Sequence, residues 1–126
     1  LGDADVITLV SKNNQACIYI SFFRGGNNYG SKSYFYEIDV SSQKNTKNSE
    51  DIQQKLAEFS SNLLSSFLGQ FYLSQIPPEL ILLNLDINEK DLMEEFLKSL
   101  NDKKTNVKTP KQGDRLKIIK DQESLA

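Results

Sequence analysis

The sequence predicts a mixed α/β domain, and three observations carry that expectation. Residues 1–40 read as β, with β-branched, apolar and aromatic runs separated by turn formers. From Ile52 the apolar spacing switches to three and four residues. After Pro77-Pro78 comes a short, almost continuously apolar run. At 126 residues the chain is expected to form one domain, 1–126, since domains usually run to ~100–150 residues.

The first expected strand is Val6-Ile7-Thr8-Leu9-Val10, punctuated by the turn-forming Ser11-Lys12-Asn13-Asn14. Ala16 to Phe23 follows, with Ile18, Ile20 and Phe22 on one face and Cys17, Tyr19 and Phe23 on the other. Apolar groups on both faces predict a strand covered from both sides. Arg24-Gly25-Gly26-Asn27-Asn28-Tyr29-Gly30 supplies the positive-φ positions of a reversal, and Ser33 to Val40 reads as a third strand. Ser41–Asn48 has no apolar residue and reads as a surface loop.

Ile52, Leu56, Phe59, Leu63, Phe67 and Phe71 then mark an amphipathic helix. Asn48 or Ser49 is placed to cap it, and Glu50 and Asp51 suit the positive end of its dipole. Pro77-Pro78 ends it. Leu80-Ile81-Leu82-Leu83-Asn84-Leu85 reads as a strand buried on both faces. A second helix is expected from an Asn88 cap with Asp91 as its capping-box partner, and with Leu92, Met93, Phe96, Leu97 and Leu100 as its stripe. Val107 marks a short fifth strand, and a last helix starts near Asp114 and carries Leu116 and Ile119.

The order β-β-β-α-β-α-β-α gives a five-stranded mixed sheet flanked by helices, the element order of a ribonuclease H-like fold. No apolar run approaches the ~20 residues of a bilayer-spanning helix, so no membrane association is expected. The chain opens on Leu1 with no apolar leader behind it and is expected to be a segment of a longer protein. One cysteine fits a reducing cytoplasm.

Composition narrows the chemistry. With no histidine, Ser-His-Asp and Cys-His pairs and imidazole metal sites are excluded. A lone Cys17 within an apolar run excludes an internal disulfide and reads as packing. The Gly25–Gly30 stretch joins strand to strand rather than strand to helix, which favours a hairpin over a phosphate cradle.

A ribonuclease H-type nuclease needs carboxylates converging on two cations ~3.5–4 Å apart. These come from the middle of the first strand and near the end of the fourth. Asp86 follows the fourth strand, but the first offers Asp5 only at its beginning, around a centre of Ile7-Thr8-Leu9. Glu58 flanks the long helix's stripe. Solvated edge charges are therefore favoured over an active site, and no metal or other cofactor is expected in this domain.

The net charge of −2 conceals a segregation. Residues 79–95 hold six acidic residues against Lys90. Residues 98–120 hold eight basic ones against Asp102 and Asp114, a net of +6. Such a cluster suits a nucleic-acid backbone or an acidic protein surface, as well as a solvated rim.

Several stretches together resemble one family. They are Asp3-Ala4-Asp5-Val6-Ile7, Phe22-Phe23-Arg24-Gly25-Gly26, Gly30 and Phe35, then Gly69-Gln70-Phe71-Tyr72. Ile76-Pro77-Pro78-Glu79-Leu80-Ile81-Leu82 and Pro110-Lys111-Gln112-Gly113-Asp114-Arg115 complete the series. In this order and spacing they resemble the middle of the UvrC family, the nuclease component of the bacterial UvrABC excinuclease. The resemblance implies a ribonuclease H-like domain without a working metal site. It would lie between the UvrB-binding region and the family's carboxylate- and histidine-dependent nuclease domain and helix-hairpin-helix module. Mg or Mn would belong only to the parent's nuclease domains. UvrB and damaged DNA would be partners through the parent, and the neighbouring nuclease domains partners within it. The Ser41–Asn48 loop looks longer and more polar than the family's.

The expected function is thus a non-catalytic scaffold domain of an excision-repair endonuclease, with Arg24, Lys108, Lys111 and Arg115 as DNA or partner contacts. Arg24 alternatively pairs with a nearby carboxylate. Two further readings stand beside it: an active two-metal nuclease using Asp5, Asp86 and Glu58, and a pure protein-interaction module.

Overall fold

The computed structural model describes residues 1–38 and 49–125. Eight elements follow in the expected order: β1 (Ala4–Lys12), β2 (Gln15–Arg24), β3 (Asn27–Glu37), α1 (Ser49–Phe71), β4 (Leu80–Leu83), α2 (Lys90–Asn101), β5 (Asn106–Lys108) and α3 (Gly113–Glu123). The Ser41–Asn48 stretch and the Asn48 cap lie outside the described residues.

The sheet runs β3-β2-β1-β4-β5. β1 pairs antiparallel with β2 and parallel with β4. β2–β3 is antiparallel and β4–β5 parallel. The uninterrupted burial of residues 4–9 follows from this placement. β1 is central, with a strand on each side and a layer over each face.

One face carries Ile7, Leu9, Ile18, Ile20, Ile81, Leu83 and Val107 against Leu64, Phe67, Leu68 and Tyr72 of the α1 segment and Leu97 of α2. The buried side of α1 is therefore broader than the spacing from Ile52 to Phe71 predicts. Leu64, Leu68 and Tyr72 lie at its centre, while Leu56, Phe59, Leu63 and Phe71 pack half-buried beside them. The other face carries Val6 and Leu82 against Ile119 of α3, with Phe23, Leu80 and Ile118 at the margin. Because α3 lies over β1 and β4, Cys17 and Tyr19 on β2 are only half-buried on this side.

Several boundaries depart from expectation: β1 extends to Ala4–Lys12, and β4 closes at Leu83 rather than Leu85. The β2–β3 reversal is the two-residue Gly25-Gly26 turn, both glycines at positive φ (58° and 83°), with Arg24 paired to Asn27. A Cβ on Gly26 would meet the Leu1 carbonyl oxygen at 2.8 Å, so that position tolerates only glycine. Asn27–Gly30 thus belongs to β3. A register shift opposite Ser21–Phe23 places Tyr29 and Gly30 against Phe22 alone, and this bulge interrupts the alternation that marks a strand. At α2 no Asn88 capping box forms. Glu89 takes the N-cap in a left-handed conformation with no side-chain cap bond.

Candidate functional site

Asp5 is the second residue of β1 and is 1% exposed. Its register partners are Phe22 and Ile81, which fixes it at the end of the sheet where β1 and β4 begin. Arg24 Nη1 donates to Asp5 Oδ1 at 2.9 Å and to the Phe23 carbonyl at 2.7 Å. The Tyr72 hydroxyl donates to Asp5 Oδ2 at 2.5 Å. Burial pushes the Asp5 carboxyl above its ordinary value, against the opposing pull of the Tyr72 and Arg24 hydrogen bonds. Burial, reinforced by the Asp5 charge, pushes the Tyr72 hydroxyl well up. Both carboxylate oxygens are engaged by protein donors, so Asp5 is a structural anchor here rather than an open ligand.

Asp86 stands at the other end of the sheet. β4 closes at Leu83, opposite Ile7, and Asp86 follows three residues later. Asp86 lines a cleft with Leu9 and Ser11, and Leu9 is four residues, ~13 Å at ~3.3 Å per strand residue, along β1 from Asp5. Asp86 bonds Lys111 Nζ at 3.2 Å, with both side chains exposed (74% and 70%). The hydrogen bond from Lys111 holds its carboxyl below the ordinary value. Glu58 is exposed on α1, one turn before Ser61, whose hydroxyl donates to the Asp86 carbonyl. The acids of the nuclease reading are therefore not brought together. Among the described residues, no three acidic or cysteine side chains group closely enough to hold a metal ion.

The centre of β1 and the end of β4, where such a nuclease needs its acids, hold amides and a hydroxyl. Asn84 Oδ1 accepts from the Leu9 N–H at 2.9 Å, and Asn84 Nδ2 donates to the Leu9 carbonyl at 3.0 Å. The Asn84 carboxamide thus extends the β1–β4 ladder one step past its last backbone pair. Nδ2 also donates to Glu123 Oε2 of α3 at 2.7 Å. The buried Gln122 lays Nε2 against the Val6 carbonyl (2.7 Å), the Tyr19 carbonyl (3.0 Å) and Thr8 Oγ1 (3.2 Å). These groups form a closed amide brace between α3 and the sheet. A lone carboxylate, Glu123, lies in it, and its Oε1 meets Lys120 at 3.5 Å. Sequence reading missed Asn84, Gln122, Glu123 and Tyr72. The bonds that tie them to other elements span 39 to 116 positions of the chain, and no local pattern announces such pairings.

Lys108 ends β5, Lys111 lies in the connection that follows and Arg115 is in the first turn of α3, and all three are exposed. Lys108 pairs with Leu82 and so shares the α3 side of the sheet, where Arg115 lies one turn before Ile119. Arg24 is not part of this group. It sits three strands away, ~14 Å across the sheet, and reaches Asp5 on the α1 side. Cys17 is a half-buried free thiol, pushed up by burial.

The strand order and the helical layers on both faces are those of a ribonuclease H-like domain. Residues 3–123 match the family described as UvrC Ribonuclease H-like domain, and the chain belongs to that family. Among curated relatives, a "UvrABC system protein C" from Rhodospirillum rubrum is 36% identical over 119 residues, covering 94% of this chain and 16% of that protein. Its namesake from Bartonella henselae is 34% identical over 119 residues, again 94% and 16%. That from Caulobacter vibrioides is 31% identical over 117 residues, 93% and 17%. The chain spans about a sixth of the length of the curated relatives it matches. No described helix is long and apolar enough to cross a membrane.

Proposed function

We propose that this chain is a non-catalytic domain of the UvrC component of a UvrABC-type nucleotide excision repair endonuclease. It serves as a scaffold between the parent's nuclease modules, and its Lys108–Lys111–Arg115 rim contacts the backbone of damaged DNA. The observation that carries the reading is the amide brace. Where a two-metal site needs carboxylates, the end of β4 carries Asn84, its donor committed to the Leu9 carbonyl, and the centre of β1 carries Thr8, engaged by Gln122 of α3. Mg or Mn then belongs to other domains of the parent, and UvrB is a partner at the level of the whole parent protein.

The rim supports backbone contact because its exposed cations face little competition. The Lys111–Asp86 pair is solvent-exposed and weak enough to be exchanged for a phosphate. The test is DNA affinity of the full-length parent as a function of salt. Each lost phosphate contact lowers the log–log slope by about 0.9, so Lys108→Glu with Arg115→Glu should flatten it by roughly two units. An unchanged slope removes DNA contact from the proposal. Metal-dependent cleavage by this domain that vanishes with Asp86→Asn would replace the scaffold reading with the nuclease one.

A further inference from the structure

The segment leaving α1 carries two large apolar side chains into solvent. Leu73 is 67% and Ile76 73% exposed, and Leu100 at the end of α2 stands beside them at 38%. Single exposed apolar residues are ordinary. These three flank two adjoining clefts of about 300 and 360 Å3 that share Ile76 and Pro77 as a common wall. The second cleft continues onto Arg24, Lys103, Asp3 and Glu79. An apolar centre with a charged rim of both signs is the anatomy of a protein contact.

The charges exclude a nucleic-acid backbone as the occupant. Arg24 is already neutralised by Asp5, and Asp3 and Glu79 outnumber the remaining Lys103. The size of the patch argues against a free partner or a second copy. Stable complexes between separate chains bury ~1,600 Å2 in total, some 20–30 residues a side, whereas this face offers three apolar side chains and four charged ones. A tethered neighbour needs far less, because its effective concentration is in the ~mM range. The relatives are about six times longer than this chain, so such a neighbour is at hand.

We propose that the Leu73–Ile76–Leu100 face is an intramolecular docking surface. On it another part of the parent polypeptide seats an apolar side chain between a carboxylate facing Lys103 and a basic group facing Asp3 and Glu79. The inference rests on the reading of this chain as one domain of a longer protein. It does not depend on DNA contact by the Lys108–Arg115 rim.

Hydroxyl-radical footprinting of the purified full-length parent tests it, with Leu92 (58% exposed) as an internal control of the same chemistry. Labelling follows exposed area, so a covered Leu73 should label several-fold less than Leu92, although the two are similarly exposed in this chain alone. That protection should be independent of protein concentration and of added DNA. Ile76→Asp, at a solvent-exposed position that leaves the fold intact, should restore Leu73 to the level of Leu92. Equal labelling of Leu73 and Leu92 in the unmodified parent overturns the proposal. So does protection that survives Ile76→Asp. Protection that appears only with rising concentration, only with DNA or only with a separate protein assigns the face to that occupant and equally overturns it. A flat DNA salt slope with protected Leu73 would sink the rim and leave this surface standing.

Discussion

The hydroxyl of Tyr72 and the carboxylate of Asp5 meet at 2.5 Å although 67 positions separate them in sequence. Tyr72 follows directly on α1 and Asp5 opens β1, so the bond fastens the end of the long helix to the start of the central strand. Tyr72→Phe keeps the ring packed against Phe71 but leaves a buried carboxylate oxygen without its donor. Orphaning a buried polar group costs ~1–3 kcal/mol, and urea unfolding of this chain should show a loss in that range. A variant as stable as the parent sequence would mean that the bond contributes nothing net.

Asp5 also sets a pH dependence of unusual sign. Its folded carboxyl lies above the ordinary 3.8, first because it is buried. In the window between 3.8 and that raised value the folded chain binds the proton more tightly than the unfolded chain. The contribution of Asp5 to stability therefore falls as pH rises through the window, and it is greatest below 3.8. Urea midpoints across that range, for this sequence and for Asp5→Asn, isolate the effect as a difference. The advantage of the native aspartate over the asparagine variant should shrink as pH climbs. An advantage that grows instead would contradict the burial argument.

The other carboxylate, Asp86, provides the contrast. Its pair with Lys111 has nearly the same chemistry as Asp5–Arg24, but both side chains lie in water. The carboxyl is held below 3.8, so any stability from the pair is present above that pH and is lost as pH falls through the lower folded value. Solvent screening limits an exposed pair to ~0.2–1 kcal/mol. Lys111→Ala should therefore shift the unfolding free energy by less than about 0.5 kcal/mol, while weakening DNA binding by the full-length parent. A large stability loss would mean that the connection into α3 depends on this bridge.

These contrasts mark what the sequence made legible. All eight elements and their order follow from composition, period and punctuation: β-branched and apolar runs in β1 and β2, three- and four-residue steps in α1 and α2, and Pro77-Pro78 between α1 and β4. The bulge at Tyr29-Gly30 hid the start of β3, because an extra residue breaks the two-residue period. Glu89 displaced Asn88 at the α2 cap by adopting a left-handed backbone that no propensity favours for glutamate. Composition and spacing did not show which groups stand at the centre of β1 and the end of β4, since they are an ordinary hydroxyl and amide whose partners are set by strand register. Asn84 looked like the polar interruption of an apolar run, and only the alignment of Ile7 with Leu83 brings it to Leu9.

That alignment makes Asn84 the most informative position for a further test. Its carboxamide mimics a backbone peptide toward Leu9, accepting from the N–H and donating to the carbonyl, and holds Glu123 with the same nitrogen. Asn84→Ala deletes all three bonds at a half-buried site, a loss of about 2–3 kcal/mol, allowing ~1 kcal/mol for each. Asn84→Asp is nearly the same shape and keeps the acceptor for the Leu9 N–H. It turns the donor into a second carboxylate oxygen facing both the Leu9 carbonyl and Glu123. Repulsion between the two acids should make Asn84→Asp the less stable of the pair at neutral pH, and acidification should relieve it as one carboxyl takes up a proton. Urea unfolding at neutral and acid pH reads both effects. If Asn84→Asp equals the parent sequence in stability at neutral pH, the donor face of the amide is not what holds α3 to the sheet. The domain would then tolerate an acid where the proposed function requires that none be useful.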